Sequence, residues 1–278
     1  MFRCFHVPTS HKLFLSCPFS KKHFTSLVCL LVVPALYIAG MASLSLYGLG
    51  RSTGMVVEIG HGVTHVVPVI QGYSIPQGIM RLDIGGRIIT DRLKTLLTQS
   101  GYNFTTSAEH EVLEHVKFQL GYVSMDPSGE ENNFPIEKVR EYEMPDGQKI
   151  KVGSEAFQCT EVLFRPSLMG KEWPGLHDLI AQSIEKCDIT VRRELWETII
   201  LGGGSSVFPG LDQRLFKELS QLVPSEVSVN IIAPPTRVFS TWLGGAALAA
   251  NPAFQNQWIT RERWQREGPS CVHDNQYQ

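Results

Sequence analysis

Features that would give a function away at once are scarce in this chain. Its six cysteines (Cys4, Cys17, Cys29, Cys159, Cys187, Cys271) form no CxxC pair, so the spacing of a zinc site is absent. Scattered over 278 residues, they also make a poor disulfide framework and read as reduced thiols of a reducing compartment. Charge of one sign is lacking as well. Lys and Arg number 25 against 27 Asp and Glu, which leaves no basic field to draw the chain onto nucleic acid. No short-period repeat or low-complexity tract occurs. Apolar residues make up 43% and charged residues 19%, so a folded core rather than disorder is the default.

Long apolar runs are few. One follows Lys21 and Lys22, gathers over residues 27–33 and continues past Ile38, interrupted by Pro34, Gly40 and Ser43. Residues 21–46 admit two readings, a membrane-targeting or secretory segment and a buried strand leading into a helix. The interruptions favour the second.

Residues 1–32 mix Phe, Cys, Ser, His and Lys without helical or strand period and read as an appendage. From residue 33 onward strands and helices alternate, the pattern of an α/β architecture. A strand is predicted over 33–38 and a helix over 40–49. The β-branched runs 55–59 and 64–70 predict a hairpin around Gly60-His61-Gly62. After the break at Asp83-Ile84-Gly85-Gly86, Thr90 is the expected cap of a helix carrying Leu93, Leu96 and Leu97, stopped by Gly101. Thr106-Ser107-Ala108-Glu109 has the spacing of a capping box. Residues 123–150 are turn-rich, and helices return at 176–186 and 190–196. A buried strand at 198–201 then runs into Gly202-Gly203-Gly204-Ser205-Ser206. A helix follows Pro209-Gly210, a strand spans 227–232, and a helical, aromatic segment starts at Trp242.

Two turns have the residues for chemistry. In Glu58-Ile59-Gly60-His61-Gly62-Val63-Thr64-His65, glycines between apolar strands let the backbone turn its N–H groups toward an anion, with an acidic residue at the strand end. In 201–206, glycines end a buried strand where α/β folds leave room for a base and ribose. Either turn alone is more often a plain loop.

Together and in order they are specific. Leu44-Ser45-Leu46-Tyr47, Gly50-Arg51-Ser52-Thr53-Gly54, Gly62-Val63-Thr64-His65, Gly72-Tyr73 and Arg81-Leu82-Asp83 closely resemble the middle of actin. So do Gly101-Tyr102, Phe104-Thr105-Thr106, Pro145-Asp146-Gly147-Gln148 and Lys186-Cys187-Asp188. Ile232-Ala233-Pro234-Pro235, Trp242-Leu243-Gly244-Gly245 and Gly268-Pro269-Ser270 resemble its C-terminal part. The resemblance is collinear over residues 33–273.

It implies an actin-like fold of the RNase H-like ATPase kind, with the C-terminal half complete and the N-terminal half largely without a counterpart. Residues 33–48 and 240–278 resemble pieces of subdomain one, 49–84 and 172–239 subdomain three, and 85–171 subdomain four. The missing counterpart would hold the first phosphate loop and its lysine. Apolar surface on the 33–38 strand and the helix after Trp242 is therefore expected either to need another chain as cover or to leave the polypeptide marginal by itself.

The resemblance also assigns sites. Gly60, Gly62 and Val63 match the second phosphate loop, His65 the histidine associated with the attacking water, and Gly203, Gly204, Ser205 and Lys117 the adenosine side. Departures put the nucleotide in doubt. Glu58 and His61 stand at expected aspartates, Met41 at a water-positioning glutamine, and Phe118 and Val238 at a glutamate and a lysine. A thioether cannot orient water as an amide does. ATP hydrolysis is accordingly not expected, no metal ligand set is read, and any Mg-ATP binding is expected to be weak. Tyr47, Gly50, Ser52, Gly72, Tyr73, Leu243, Ala247 and Leu248 match the groove in which actin takes amphipathic helices of partners. Residues 164–170 resemble a loop used between filament subunits, altered beyond it by Lys171 and Trp173. The implied role is a non-catalytic cytoskeletal or assembly protein of the cytoplasm, acting through actin or actin-binding proteins. An ATP-binding actin-related protein, and a membrane-targeted or secreted protein using 21–46, are the alternatives.

Overall fold

The computed structural model describes residues 3–7, 12–17 and 34–271, the first two stretches as backbone only. Its elements begin with β1 (Arg3–Val7), β2 (Lys12–Cys17), β3 (Ala35–Gly40) and α1 (Met41–Tyr47). β4 (Gly54–Ile59), β5 (Thr64–Ile70), β6 (Tyr73–Ser74) and β7 (Met80–Leu82) follow, then α2 (Gly86–Gln99), α3 (Ser107–Leu120) and α4 (Pro127–Asn132). Next come β8 (Arg140–Glu143), β9 (Lys149–Val152), α5 (Glu155–Gln158), α6 (Leu176–Glu185) and α7 (Ile189–Trp196). β10 (Ile199–Gly202), α8 (Leu211–Leu222), β11 (Ile231–Ile232), α9 (Ser240–Ala250), β12 (Ile259–Thr260) and α10 (Arg261–Glu267) complete the order.

The central sheet runs β11-β10-β4-β5-β6, with β7 also paired to β5. β4 and β5 are apolar at almost every position because both of their faces are covered. Met55, Val57 and Ile59 enter the main core with residues of α6 and α8 such as Ile180 and Leu215. Val56, Val67 and Val69 alternate to the other face and pack on Ala42 and Leu46 of α1. The same two-residue period puts Glu58 on the α1 face, directly across the ladder from His65.

α1 and α9 cross backbone to backbone. A Cβ on Gly244 would overlap the Leu44 carbonyl oxygen, so only glycine permits this approach. Further along α9, Leu248 and Ala249 pack with Phe254 and Trp258 around the fully buried Tyr37 of β3. Phe254 meets the Tyr37 ring edge-on at a centroid distance of 4.6 Å, a favoured aromatic geometry.

Several expectations need correction. The backbone at 3–7 and 12–17 forms an antiparallel hairpin with β2 parallel to β3, although those residues show no strand period. β3 does not stand open: Ala35, Leu36, Tyr37 and Ala39 are buried, because β2 and β12 flank the strand and α9 covers it. Trp242 and Leu243, at the start of α9, do stay substantially exposed. Thr90 is not a cap. α2 starts four residues earlier because its first N–H groups find carbonyls on the β4–β5 turn, Gly86 to Gly60 at 2.9 Å and Arg87 to His61 at 2.7 Å. The strand expected over 227–232 shrinks to its last two residues, since its partner β10 begins only at Ile199. The capping box forms as read, with Thr106 Oγ1 accepting from the Glu109 N–H and the Glu109 carboxylate accepting from the Thr106 N–H. Of the ambiguous 21–46 stretch, 21–33 lie outside the described residues, and the remainder is β3 and α1. No helix among the described residues is long and apolar enough to cross a membrane.

A buried ion pair ties α8 to the 120–165 region. Arg214 meets both Glu161 oxygens at 3.2 Å, donates to the Ser124 carbonyl at 2.8 Å and lies 4.7 Å from the centroid of the Phe164 ring. Arg214 also pairs with Glu218, so removing it leaves the buried Glu161 with only Arg165, at 3.5 Å, and Glu218 without its partner. Arg214→Met is expected to cost about 3 kcal/mol in urea denaturation. A loss under about 1 kcal/mol, the scale of an exposed pair, would contradict this reading of the bridge.

Candidate functional site

Three segments converge on the β4–β5 turn. Gly60 closes it by donating its N–H to the Val63 carbonyl at 2.9 Å. The Gly60 carbonyl then accepts from the N–H of Gly86 and from Ser205 Oγ, the latter at 3.0 Å. Gly203, at φ +87, lies against the backbone of Ile59 so closely that any Cβ there would overlap its carbonyl oxygen. Gly60, Gly203, Ser205 and the start of α2 are thereby fixed as one unit. Space in front of Gly62 and Gly204 is open.

At the tip, His61 is exposed and its Nδ1 lies 3.5 Å from Glu114 of α3. One turn further along α3, Lys117 is 1% exposed and points inward. Its ammonium donates to the Gly86 carbonyl at 3.0 Å and to Thr90 Oγ1 at 2.8 Å, and burial holds its pKa below the ordinary lysine value. Phe118 stacks nearly parallel to Phe208, with centroids 6.4 Å apart, and its ring centroid lies 4.7 Å from the Lys117 ammonium. Val238 is half-buried beside Arg237, whose guanidinium holds the Ser206, Ala233 and Pro234 carbonyls and whose own carbonyl accepts from Gly203. Arg237 is the fastener of this loop and carries no motif that would have marked it.

Behind the turn, Met41, Glu58 and His65 border one small cavity. The Glu58 carboxyl is 6% exposed and turned toward the helices. Its Oε1 accepts from Ser45 Oγ of α1 at 2.7 Å and from Thr241 Oγ1 of α9 at 3.3 Å. Burial, and then the Arg81 guanidinium across the ladder, push the His65 imidazole down to about 4. His65 is therefore neutral at neutral pH.

The second candidate region lies on the other side of α1. A cavity of about 260 Å³ opens between α1, the 51–52 and 71–72 turns, and the segment after α9. Of the residues matched to a partner groove, Tyr47, Ser52, Gly72 and Leu248 line it, joined by Ala39, Leu46, Arg51, Asn251, Ala253 and Phe254. Gly50, Tyr73, Leu243 and Ala247 do not line it. Leu243 and Ala247 sit together on the exposed side of α9, whereas Gly244 and Leu248 face α1. Tyr73 projects from β6 at 60% exposure. In the 164–173 segment, Phe164 is buried, Leu168 is exposed and the Lys171 ammonium lies over the Trp173 ring.

Residues 28–276 match the family model described as Actin. The chain belongs to the actin family. It is also similar to a protein described as an actin-like protein from Neurospora crassa, with 43% identity over 246 residues. That alignment covers 87% of this actin-family chain and 64% of the relative, so the chain spans less than two thirds of the relative's length.

His65 sets a pH dependence for this actin-family fold. Its pKa is lower folded than unfolded, so between about 6.5 and about 4 the unfolded chain binds a proton that the folded one refuses. Stability must fall as pH falls through that window, by up to about 3 kcal/mol from this residue. His65→Gln is expected to flatten the loss measured by urea denaturation between pH 7.5 and 4.5. An unchanged pH slope in the variant would contradict the assignment.

Proposed function

We propose that this chain is a non-catalytic actin-family binding module, engaging amphipathic helices of cytoskeletal or assembly partners in the cytoplasm through the groove beside α1 and α9. The observation that carries the proposal is the cavity of about 260 Å³ with a floor of Ala39, Leu44, Leu46, Leu248 and Phe254. That apolar floor suits the apolar face of a helix. Actin itself and actin-binding proteins are the partner class that the family suggests.

The residues around the β4–β5 turn do not fit Mg-ATP held for reaction. The Glu58 carboxyl hydrogen-bonds to two helix hydroxyls, and Glu114 sets a carboxylate beside the turn where a phosphate would lie. Lys117 spends two of its donors internally, and Met41 offers no group to orient water. One observation favours a second reading, weak nucleotide binding. The N–H groups of His61, Gly62 and Val63 donate to no described residue, a local arrangement that can receive an anion.

Two measurements separate these readings. Ala253→Trp fills the groove from an exposed position, and it is expected to weaken binding of a fluorescent amphipathic helical peptide at least about tenfold while leaving the fold unchanged by circular dichroism. Undiminished binding would sink the groove assignment. Millimolar Mg-ATP is expected to leave the melting temperature where it is; a saturable rise would favour the second reading.

A further inference from the structure

The groove is not uniformly apolar. Its lining includes Tyr47, Arg51 and Asn251, and the hydrogen bond that joins Tyr47 to Asn251 has a fixed direction. Asn251 Oδ1 accepts from the Ala253 N–H at 3.0 Å, which settles which way the amide faces. Its Nδ2 is then left to donate to Tyr47 Oη at 3.2 Å. With its oxygen receiving that bond, the Tyr47 hydroxyl keeps its own hydrogen for an outside acceptor. Arg51 lines the same cavity, is exposed, forms no ion pair among the described residues, and has donors only. No carboxylate among the described residues lines the cavity. The polar part of this lining therefore offers the donors of Tyr47 and Arg51 and one positive charge, while its acceptors are the neutral oxygens of residues such as Gln71 and Ser52.

We infer that the groove selects partner helices that present a carboxylate to Tyr47 and Arg51 beside their apolar stripe. The inference rests on the groove reading above and adds the chemistry by which partners are chosen. A Glu or Asp there receives a charge-assisted bond from Arg51 and the phenol hydrogen of Tyr47. A helix with Leu at that position covers the same donors and leaves them without water or partner, which costs binding energy. Asn251 acts as a positioning residue, because it holds the Tyr47 oxygen and turns the phenol hydrogen outward.

The test uses fluorescence anisotropy and a set of designed amphipathic helical peptides, identical except for a single Glu, Gln or Leu moved through successive positions beside the apolar stripe. At one register the Glu peptide is expected to bind roughly tenfold tighter than its Gln and Leu counterparts. Arg51→Ala should erase that preference while the Leu peptide binds as before. Asn251→Leu should shift the preference toward the Leu peptide. Equal binding of all peptides, indifferent to Arg51→Ala, overturns the carboxylate inference and leaves the groove reading standing. Binding by none overturns the groove reading and the inference with it.

Discussion

The Glu58 carboxyl is the point on which the two candidate regions depend. It leaves β4 on the face away from the main core and accepts hydroxyl hydrogens from Ser45 and Thr241. Those residues belong to α1 and α9, the helices whose Gly244 contact allows no side chain between them. One buried polar group thus fastens the sheet to both helices. Buried polar groups of this kind are costly unless satisfied, and here satisfaction is possible only when α1, α9 and β4 are all in place. Glutamate is suited to the task. Its reach exceeds that of the aspartate expected at this position by one methylene, about 1.5 Å.

Glu58 is thereby engaged within the protein, and the two helices that it joins both border the cavity of about 260 Å³. The other departures act in the same sense. His61 turns to Glu114, Lys117 turns inward to Gly86 and Thr90, and Phe118 stacks with Phe208. Each of these side chains has a partner within the protein. The groove, in contrast, keeps donors that point outward.

Sequence patterns revealed whatever is decided locally. The β4–β5 hairpin follows from β-branched runs on either side of Gly60-His61-Gly62, and the Thr106–Glu109 box is a contact between near neighbours. Features made by distant segments stayed hidden. α2 begins at Gly86 because carbonyls of the preceding hairpin cap it, so a search for a side-chain cap led to Thr90 instead. Half of the expected groove residues line the cavity. Leu243 and Ala247, matched to the groove by resemblance, lie on the exposed side of α9, because Gly244 and Leu248 face α1. Asn251 was missed because its partner Tyr47 lies 204 positions earlier, and neither residue type announces such a bond.

The direct test of Glu58 as a fastener is thermal unfolding of Glu58→Asp, with and without Mg-ATP. The shorter side chain pulls away from Ser45 and Thr241, so the variant should melt lower by roughly 4 °C and remain indifferent to nucleotide. A variant that melts with the wild type and gains several degrees from Mg-ATP would contradict that role, and would return the position to the phosphate site.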